Sequence, residues 1–492
     1  MSLGSCASFI YQKRDTAETP ARVFLEAPYQ GQLGVCIGTP SGYATSRVLG
    51  GAAGEKRTPM FYEIDPSQLL KLMLIAVPVH LAWGLLSRKW HPLYLLAIVL
   101  LILAPFSIAV DSAPIIVALK YARAYAGFLL VATGLLMLLA RGARLGRASV
   151  ALMAFSLFFW GSGAWSQEPA TALLDHSRYL LLVVAGLTMG LSLRSRMEFM
   201  SSMRVLFFGS CCWAVLIILG ISLGHFEGGR LAMFGMNANQ VGMTSGFTFL
   251  VALALTINDR RAFFRIAALV CCGIIAVGAM LTGSRAAVAA TIIGASPLLM
   301  PLVRRPLLLF GLIVFAAVLG YAASDLLIGE AGVERLGSLD NTRAAVWSRG
   351  YDYFLQSPVI GHGSMARGTG IYKYDSAFDP HSIYLAVLLT CGVVGALVFT
   401  VSMGTIGLEY LRAIRLVSIF GATERWPVYF GLSILLAALV NGVFESAPLG
   451  GVTIHTLAIG LSVGLVDWVQ SPRFSAGSEL TAQSPSTHSG TY

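Results

Sequence analysis

The sequence predicts an all-α polytopic membrane protein of about 12–13 transmembrane helices with one large extramembrane loop, and three observations carry that prediction. Of its 492 residues 56% are hydrophobic and 12% charged, with a mean hydropathy of +0.74, a balance that excludes an ordinary water-soluble core. Apolar runs of about 17 residues or more recur along the chain, long enough to cross ~30 Å of hydrocarbon and without the alternation of barrel strands. The formal net charge of +10 is spread over short hydrophilic connections, which is the positive-inside pattern of membrane helices and not a nucleic-acid patch.

Taken in order, residues 1–67 form a polar segment of unassigned role, in which no basic start precedes an apolar core of signal-peptide length. Helix parity leaves three readings of this region open: a re-entrant first apolar segment, thirteen spans with an external N-terminus, or a true start at Met60. Residues 68–324 read as a helix bundle, with spans at about 68–86, 93–110, 122–140, 148–165, 178–193, 205–222, 240–257, 265–281, 286–303 and 307–324. Arg141/Arg144/Arg147, Arg194/Arg196/Arg204, Arg260/Arg261/Arg265 and Arg304/Arg305 mark the cytoplasmic connections. Connections 164–177, 223–239 and 282–285 carry fewer basic residues and fall, with the 325–380 loop, on the extracytoplasmic side. Residues 381–470 supply the last spans, at about 382–401, 427–444 and 452–469, with Arg412/Arg415/Arg425 again inside. The tail 471–492 is rich in Ser, Thr, Gly and Pro, a composition that predicts disorder. Cys211, Cys212, Cys271, Cys272 and Cys391 lie in apolar segments without CxxC spacing and read as small packing residues.

The large loop is where chemistry is expected, because Arg335, Arg343, Arg349 and His381 are carried there to the start of an apolar helix. From Asp340 to Gln356 the spacing predicts an amphipathic helix with Arg343, Val346, Trp347, Gly350, Tyr351 and Phe354 on one face. Asp340 or Asn341 would cap it and Ser357-Pro358 would stop it, placing one guanidinium inward over the bundle. Pro358-Val-Ile-Gly361-His362-Gly363 must turn tightly and would bring backbone N–H groups close to a ligand. Tyr372, Tyr374, Asp375 and Asp379 suit sugar rings and hydroxyls or an ordinary interfacial belt. His381 opens a helix on which Tyr384, Leu385, Leu388, Gly392 and Gly395 would share a face, and its ordinary pKa of about 6.5 suits a general base.

Arg285, in the Thr282–Arg285 hairpin, sits at a helix start with little loop to carry it into water, which suits an anion such as phosphate. The turn holding Arg230, Asn237 and Asn239 is rich in groups that bond hydroxyls, with Asn239 also expected to cap a helix. Glu445, at the outer end of the next-to-last span, would orient His381, pair with an arginine or sit in headgroup water. Arg123 and Arg178 also begin outer apolar runs in less distinctive surroundings. DxD, HExxH, P-loop and GxSxG motifs are missing where they could act, so no cofactor is expected and a metal-independent site is favoured over Asp375, Asp379 and His381 as ligands. Arginines and one histidine fit transfer from a pyrophosphate leaving group to a hydroxyl.

TGSRAA around Arg285, NTRAAVW around Arg343 followed by SPVIGHG, and HSIYLAVLLTCGVVG from His381 resemble the O-antigen ligase and Wzy-type polymerase superfamily of bacterial envelope glycosyltransferases. GMNANQVG resembles the family's Asn-Pro-Asn turn with alanine in place of proline, WSQEPATALLDHSRYLL an outer turn, and NGVFES a segment of exopolysaccharide polymerases. The resemblance covers about residues 93–470. It implies a GT-C-like fold in the bacterial inner membrane, with the site and the 325–380 loop facing the periplasm. It further implies an undecaprenyl-pyrophosphate-linked oligosaccharide as donor and a lipid A core or growing polysaccharide as acceptor, in contact with membrane lipids and without nucleic acid. By the same resemblance Arg285 and Arg343 would bind the donor pyrophosphate and His381 would activate the acceptor hydroxyl, with Arg230, Asn237, Asn239, Tyr384 and Glu445 in support. The alternative is a polysaccharide flippase or other secondary transporter, which would show repeat symmetry and ionisable groups at mid-membrane; the charges here sit at outer helix ends.

Overall fold

A computed structural model describes residue 135 and residues 144–193, 195–233, 236–301, 343–363, 380–418, 422–446, 454–472 and 474. All of these lie in the unit Phe61–Tyr492. The expected spans 68–86, 93–110 and 307–324, nearly all of 122–140, and residues 1–67, Arg123, Arg335, Asp340, Asn341, 364–379 and 475–492 lie outside the described residues.

The described chain is mostly helical: α1 (Arg147–Gly161), α2 (Pro169–Leu191), α3 (Arg196–Ser222), α4 (Ala238–Asn258), α5 (Ala262–Leu281), α6 (Arg285–Leu299), α7 (Ala344–Gln356), α8 (Ile383–Ser418), α9 (Ala422–Phe444) and α10 (Ile454–Val469). Among the described residues, seven helices are long and apolar enough to cross a membrane: α1 with the 3-10 turn that ends it at Trp165, α2, α3, α4, α5, α8 and α9 from Arg425. Helices α6 and α10 are apolar but shorter. The protein is therefore a polytopic, multi-pass membrane protein.

Several boundaries depart from the apolar runs. Helix α2 begins at Pro169, well before 178, because Asp175, His176 and Arg178 ride on the helix; Arg178 pairs with Asp175 one turn away at 3.0 Å. Helix α3 begins at Arg196, capped by Ser195, whose hydroxyl accepts from the Glu198 N–H at 3.3 Å. Helix α8 runs on to Ser418, past the expected 401, through Glu409, Arg412 and Arg415. The 223–239 connection contains a small hairpin, β1 (Phe226–Glu227) against β2 (Arg230–Leu231), so the described fold is not wholly α.

Without a hydrophobic force between helices in lipid, close backbone approach is the main source of packing energy. The α2–α10 crossing provides it through two facing small-residue motifs, Gly186/Gly190 and Gly460/Gly464. A Cβ added to Gly190 would stand 2.5 Å from the Gly464 carbonyl carbon. Helix α10 in turn touches α9 and α1, and α9 packs along α6 and α4, giving one continuous core that includes Trp213, Trp468, Tyr179 and Tyr410. Polar atoms inside it are tied off locally: the Trp213 indole donates to Ser245 Oγ at 3.0 Å and the Tyr410 hydroxyl to the Ser462 carbonyl at 2.8 Å.

Helix α8 is broken at Gly392, whose φ of 63° and ψ of −162° suit glycine alone. The loop that follows α7 fills the break. The N–H groups of His362 and Gly363 donate to the carbonyls of Leu389 and Thr390 at 2.8 and 2.9 Å, and those of Val393 and Val394 donate to Pro358 and Val359 at 2.8 and 3.1 Å. The backbones touch, since a Cβ on Gly361 would lie 2.5 Å from the Thr390 carbonyl carbon. Two expectations are corrected here. The glycine-rich turn spends the N–H groups of His362 and Gly363 on the helix break and not on a ligand. The expected face splits: Tyr384 is exposed, while Gly392 and Gly395 are buried, Gly392 against the backbone of the 358–363 loop, and Ile383, Ala386, Val387 and Thr390 carry the buried side near the helix start.

Candidate functional site

Opposite ends of the bundle carry different chemistry. One end gathers Arg144, Arg147, Arg196, Arg204, Arg260, Arg261, Arg265, Arg412, Arg415 and Arg425, the described part of the expected cytoplasmic set. There Arg204 makes a two-point contact with Asp259 at 2.8 and 2.9 Å. At the same end the Asp467 carboxylate of α10 accepts the Ser149 N–H at 2.8 Å, and Glu409 pairs with Arg412. The other end holds the β1–β2 hairpin, the Asn237–Asn239 turn, the 282–285 hairpin, α7, His381 and Glu445, joined by a chain of polar contacts.

That chain centres on Glu445, which follows directly on α9 and is 8% exposed. Its N–H continues the helical pattern to the Asn441 carbonyl at 2.9 Å, so the side chain leaves from a fixed base. Oε1 accepts from Arg343 Nη2 at 2.5 Å and from Asn239 Nδ2 at 2.9 Å. Oε2 stands 3.6 Å from His381 Nδ1, within ion-pair range once the imidazole is protonated. Asn239 passes the connection on, its Oδ1 accepting from Arg230 Nη2 at 2.8 Å, and Arg230 Nε donates to the Thr282 carbonyl at 2.7 Å. The chain thus ends in the hairpin that carries Arg285, the first residue of α6.

Each functional side chain is placed by a local device. Helix α7 begins at Ala344 with Arg343 in the cap position, and Val346, Tyr353 and Phe354 pack on Leu385 and Leu389 of α8. Tyr351, expected on that face, is 57% exposed, and Tyr353 takes its place. Trp347 stacks on Phe444 with ring centroids 6.4 Å apart and donates its indole N–H to the Pro380 carbonyl at 3.1 Å. Arg343 also lies 5.9 Å above the Phe444 ring. His381 follows Pro380 in a left-handed conformation, φ 46°, uncommon for a residue with a side chain and held here between Trp347 and the start of α8.

The structure therefore brings together Arg230, Asn239, Arg343, His381 and Glu445, and places Arg285 on the hairpin next to Arg230's acceptor. Two supporting residues stand differently. Asn237, and not Asn239, caps α4, its Oδ1 accepting from the Gln240 N–H at 2.9 Å. Tyr384 is 39% exposed and donates its hydroxyl to the Leu439 carbonyl at 3.2 Å, bracing α8 against α9 beside the site. Tyr372, Tyr374, Asp375 and Asp379 lie outside the described residues, among which no group of three or more His, Cys, Asp or Glu side chains is arranged to hold a metal ion.

Fold and site together define a multi-pass membrane protein whose polar cluster sits at one end of an apolar helix bundle. Residues 267–400 match the family model described as O-antigen ligase, a stretch that starts inside α5, ends inside α8 and contains Arg285, Arg343 and His381. That stretch is O-antigen ligase-like, and the match indicates ligase- or polymerase-type glycan transfer in general, with a lipid-linked oligosaccharide and an acceptor glycan as the general substrate types. No curated protein matches the chain.

Proposed function

We propose that the protein is a metal-independent glycosyltransferase of the bacterial inner membrane. It moves a glycan from an undecaprenyl-pyrophosphate carrier to a sugar hydroxyl on the periplasmic face, as an O-antigen ligase or an O-antigen or exopolysaccharide polymerase. The observation that carries this reading is the convergence, within and beside the O-antigen ligase-like stretch, of Arg343 and His381 on the Glu445 carboxylate. The arginine-rich end opposite the cluster supports a periplasmic site, because basic residues favour the cytoplasmic side. Residues 68–324 and 381–470 would then form a GT-C-like bundle and 325–380 a periplasmic loop over it.

In this reaction the bond between the glycan's anomeric carbon and the pyrophosphate oxygen breaks, and the pair stays on the carrier as leaving-group charge. The acceptor oxygen forms the new bond as its proton passes to His381, the catalytic base. Arg285, at the positive N-terminal end of α6, and Arg343 bind the pyrophosphate and stabilise the charge that develops on it. Arg230, Asn237, Asn239 and Tyr384 support the site's walls. Reconstitution tests the reading with lipid-linked oligosaccharide extracted from cells deleted for the gene. Growth of the glycan without lipid A core marks a polymerase, transfer to core alone a ligase, and no transfer in either case refutes the proposal.

A further inference from the structure

We infer that Glu445 is the positioning residue of the transfer reaction: one carboxylate that orients His381 through Oε2 while Arg343 and Asn239 fix it through Oε1. The inference rests on the proposed reading of His381 as the base. Four segments far apart in sequence meet on this group: Asn239 at the start of α4, Arg343 at the start of α7, His381 ahead of α8 and the end of α9. Asn239 and Glu445 are 206 positions apart, and Arg343 and Glu445 are 102 apart.

The geometry is that of an orienting carboxylate. A buried carboxylate has two oxygens to satisfy, and leaving either bare is costly. Here Oε1 takes two N–H donors, which prevents the group from rotating, so Oε2 is held towards Nδ1 of the imidazole. At 3.6 Å the pair is longer than a hydrogen bond; the carboxylate favours the imidazolium that forms when the acceptor proton is taken, and that charge draws Nδ1–H to Oε2 and so orients the ring. The relay behind it makes the placement rigid: Asn239 is held by Arg230, and Arg230 by the Thr282 carbonyl of the Arg285 hairpin. The donor-binding hairpin and the base are thus parts of one bonded frame.

The sign of the pH effect follows from the charges around His381. Glu445 stands at 3.6 Å, Arg343 shares its carboxylate, Arg230 is one amide further back, Arg285 sits at the adjoining hairpin, and Asn239 and Trp347 are neutral. Glu445→Gln keeps an oxygen for Arg343 and Asn239 but removes the negative charge facing the ring. The imidazolium is then less favoured, and His381 loses its proton at lower pH.

Two measurements on the full-length reconstituted protein test the inference. The first is the pH dependence of glycan transfer from the extracted lipid-linked oligosaccharide by wild type, Glu445→Gln and Glu445→Asp. The rising limb is expected to move down by about one pH unit in Glu445→Gln. Its kcat is expected to fall roughly 10- to 100-fold with donor KM within about twofold, and Glu445→Asp to recover part of the loss. The second measurement does not depend on activity: carbethoxylation of His381 by diethylpyrocarbonate, which reacts with neutral imidazole, followed by peptide mass spectrometry across pH. The half-modification point is expected to shift downward in Glu445→Gln. An unchanged modification curve overturns the inference, as does a loss of kcat with an unmoved pH limb or a loss confined to donor KM. Wild type that modifies as expected yet transfers nothing leaves Glu445 as the partner of His381 and sinks the transferase reading instead.

Discussion

Replacing Gly392 by alanine tests the joint that ties the α7 loop to the membrane bundle. Gly392 occupies a backbone region essentially closed to other residues, which alone costs a substituted chain about 1–3 kcal/mol. The new methyl would also point into the Val359 carbonyl, a backbone group with no side-chain freedom to yield. The loop can retreat only by loosening its four cross-segment hydrogen bonds, each worth about 0.5–1.5 kcal/mol. Strain plus two bonds lost comes to about 4 kcal/mol, which raises the open population of the joint roughly a thousandfold. The His362 and Gly363 amides report it directly, since each donates across the joint and exchanges with solvent when the joint opens. Hydrogen-exchange mass spectrometry in detergent is expected to show their protection collapsing in Gly392→Ala, while peptides of α4 and α10 stay protected. Protection at His362 and Gly363 within threefold of wild type, in a folded variant, would refute the assignment of these bonds.

Other parts of the structure make equally specific predictions. Gly190→Leu drives a branched side chain into the backbone of Gly464 and is expected to abolish recovery of folded protein on size-exclusion chromatography, whereas Gly161→Leu, with open space around it, is tolerated. At the opposite end, burial pushes the Asp259 carboxyl up, but Arg204 and the Arg261 N–H together outweigh it and hold it below the ordinary carboxylate value. A depressed carboxyl contributes its stability above its unfolded pKa of about 3.9 and loses it as pH falls through the folded value. Asp259→Asn is therefore expected to cost about 2 kcal/mol at pH 7, and the gap in melting temperature should close as the medium is taken below the ordinary carboxylate value.

Much of the fold is legible in the sequence because lipid imposes one rule, long apolar helices, and runs such as 240–257 and 265–281 announce α4 and α5 nearly to the residue. Helix starts were legible only where hydropathy coincides with them. Arg196, Glu198 and Arg204 on α3, or Asp175 and His176 on α2, are polar residues that the helix carries regardless. The paired GxxxG spacing of α2 and α10 was readable and would have predicted their contact. The helix break was not: Gly392 sits in an unremarkable apolar run, and its need for φ 63° comes from a loop some thirty residues earlier packing against it. For the site, residue chemistry singled out Arg343, His381 and Glu445 separately. Their shared carboxylate depends on tertiary placement, as does the exchange of roles between Asn237, the cap, and Asn239, the bridge.

On the proposed reading, His381 and Arg285 work on a carrier-linked glycan outside the cytoplasm. The most direct measurement follows radiolabelled undecaprenyl-pyrophosphate oligosaccharide in proteoliposomes holding wild type, His381→Ala or Arg285→Ala, with EDTA present and the folded state checked by chromatography. Wild type is expected to transfer the glycan with EDTA present. His381→Ala should fall at least ~100-fold and Arg285→Ala by a similar factor, with intact donor remaining on the face opposite the arginine-rich end. Transfer by both variants at the wild-type rate, or donor stranded on the arginine-rich face, would contradict it.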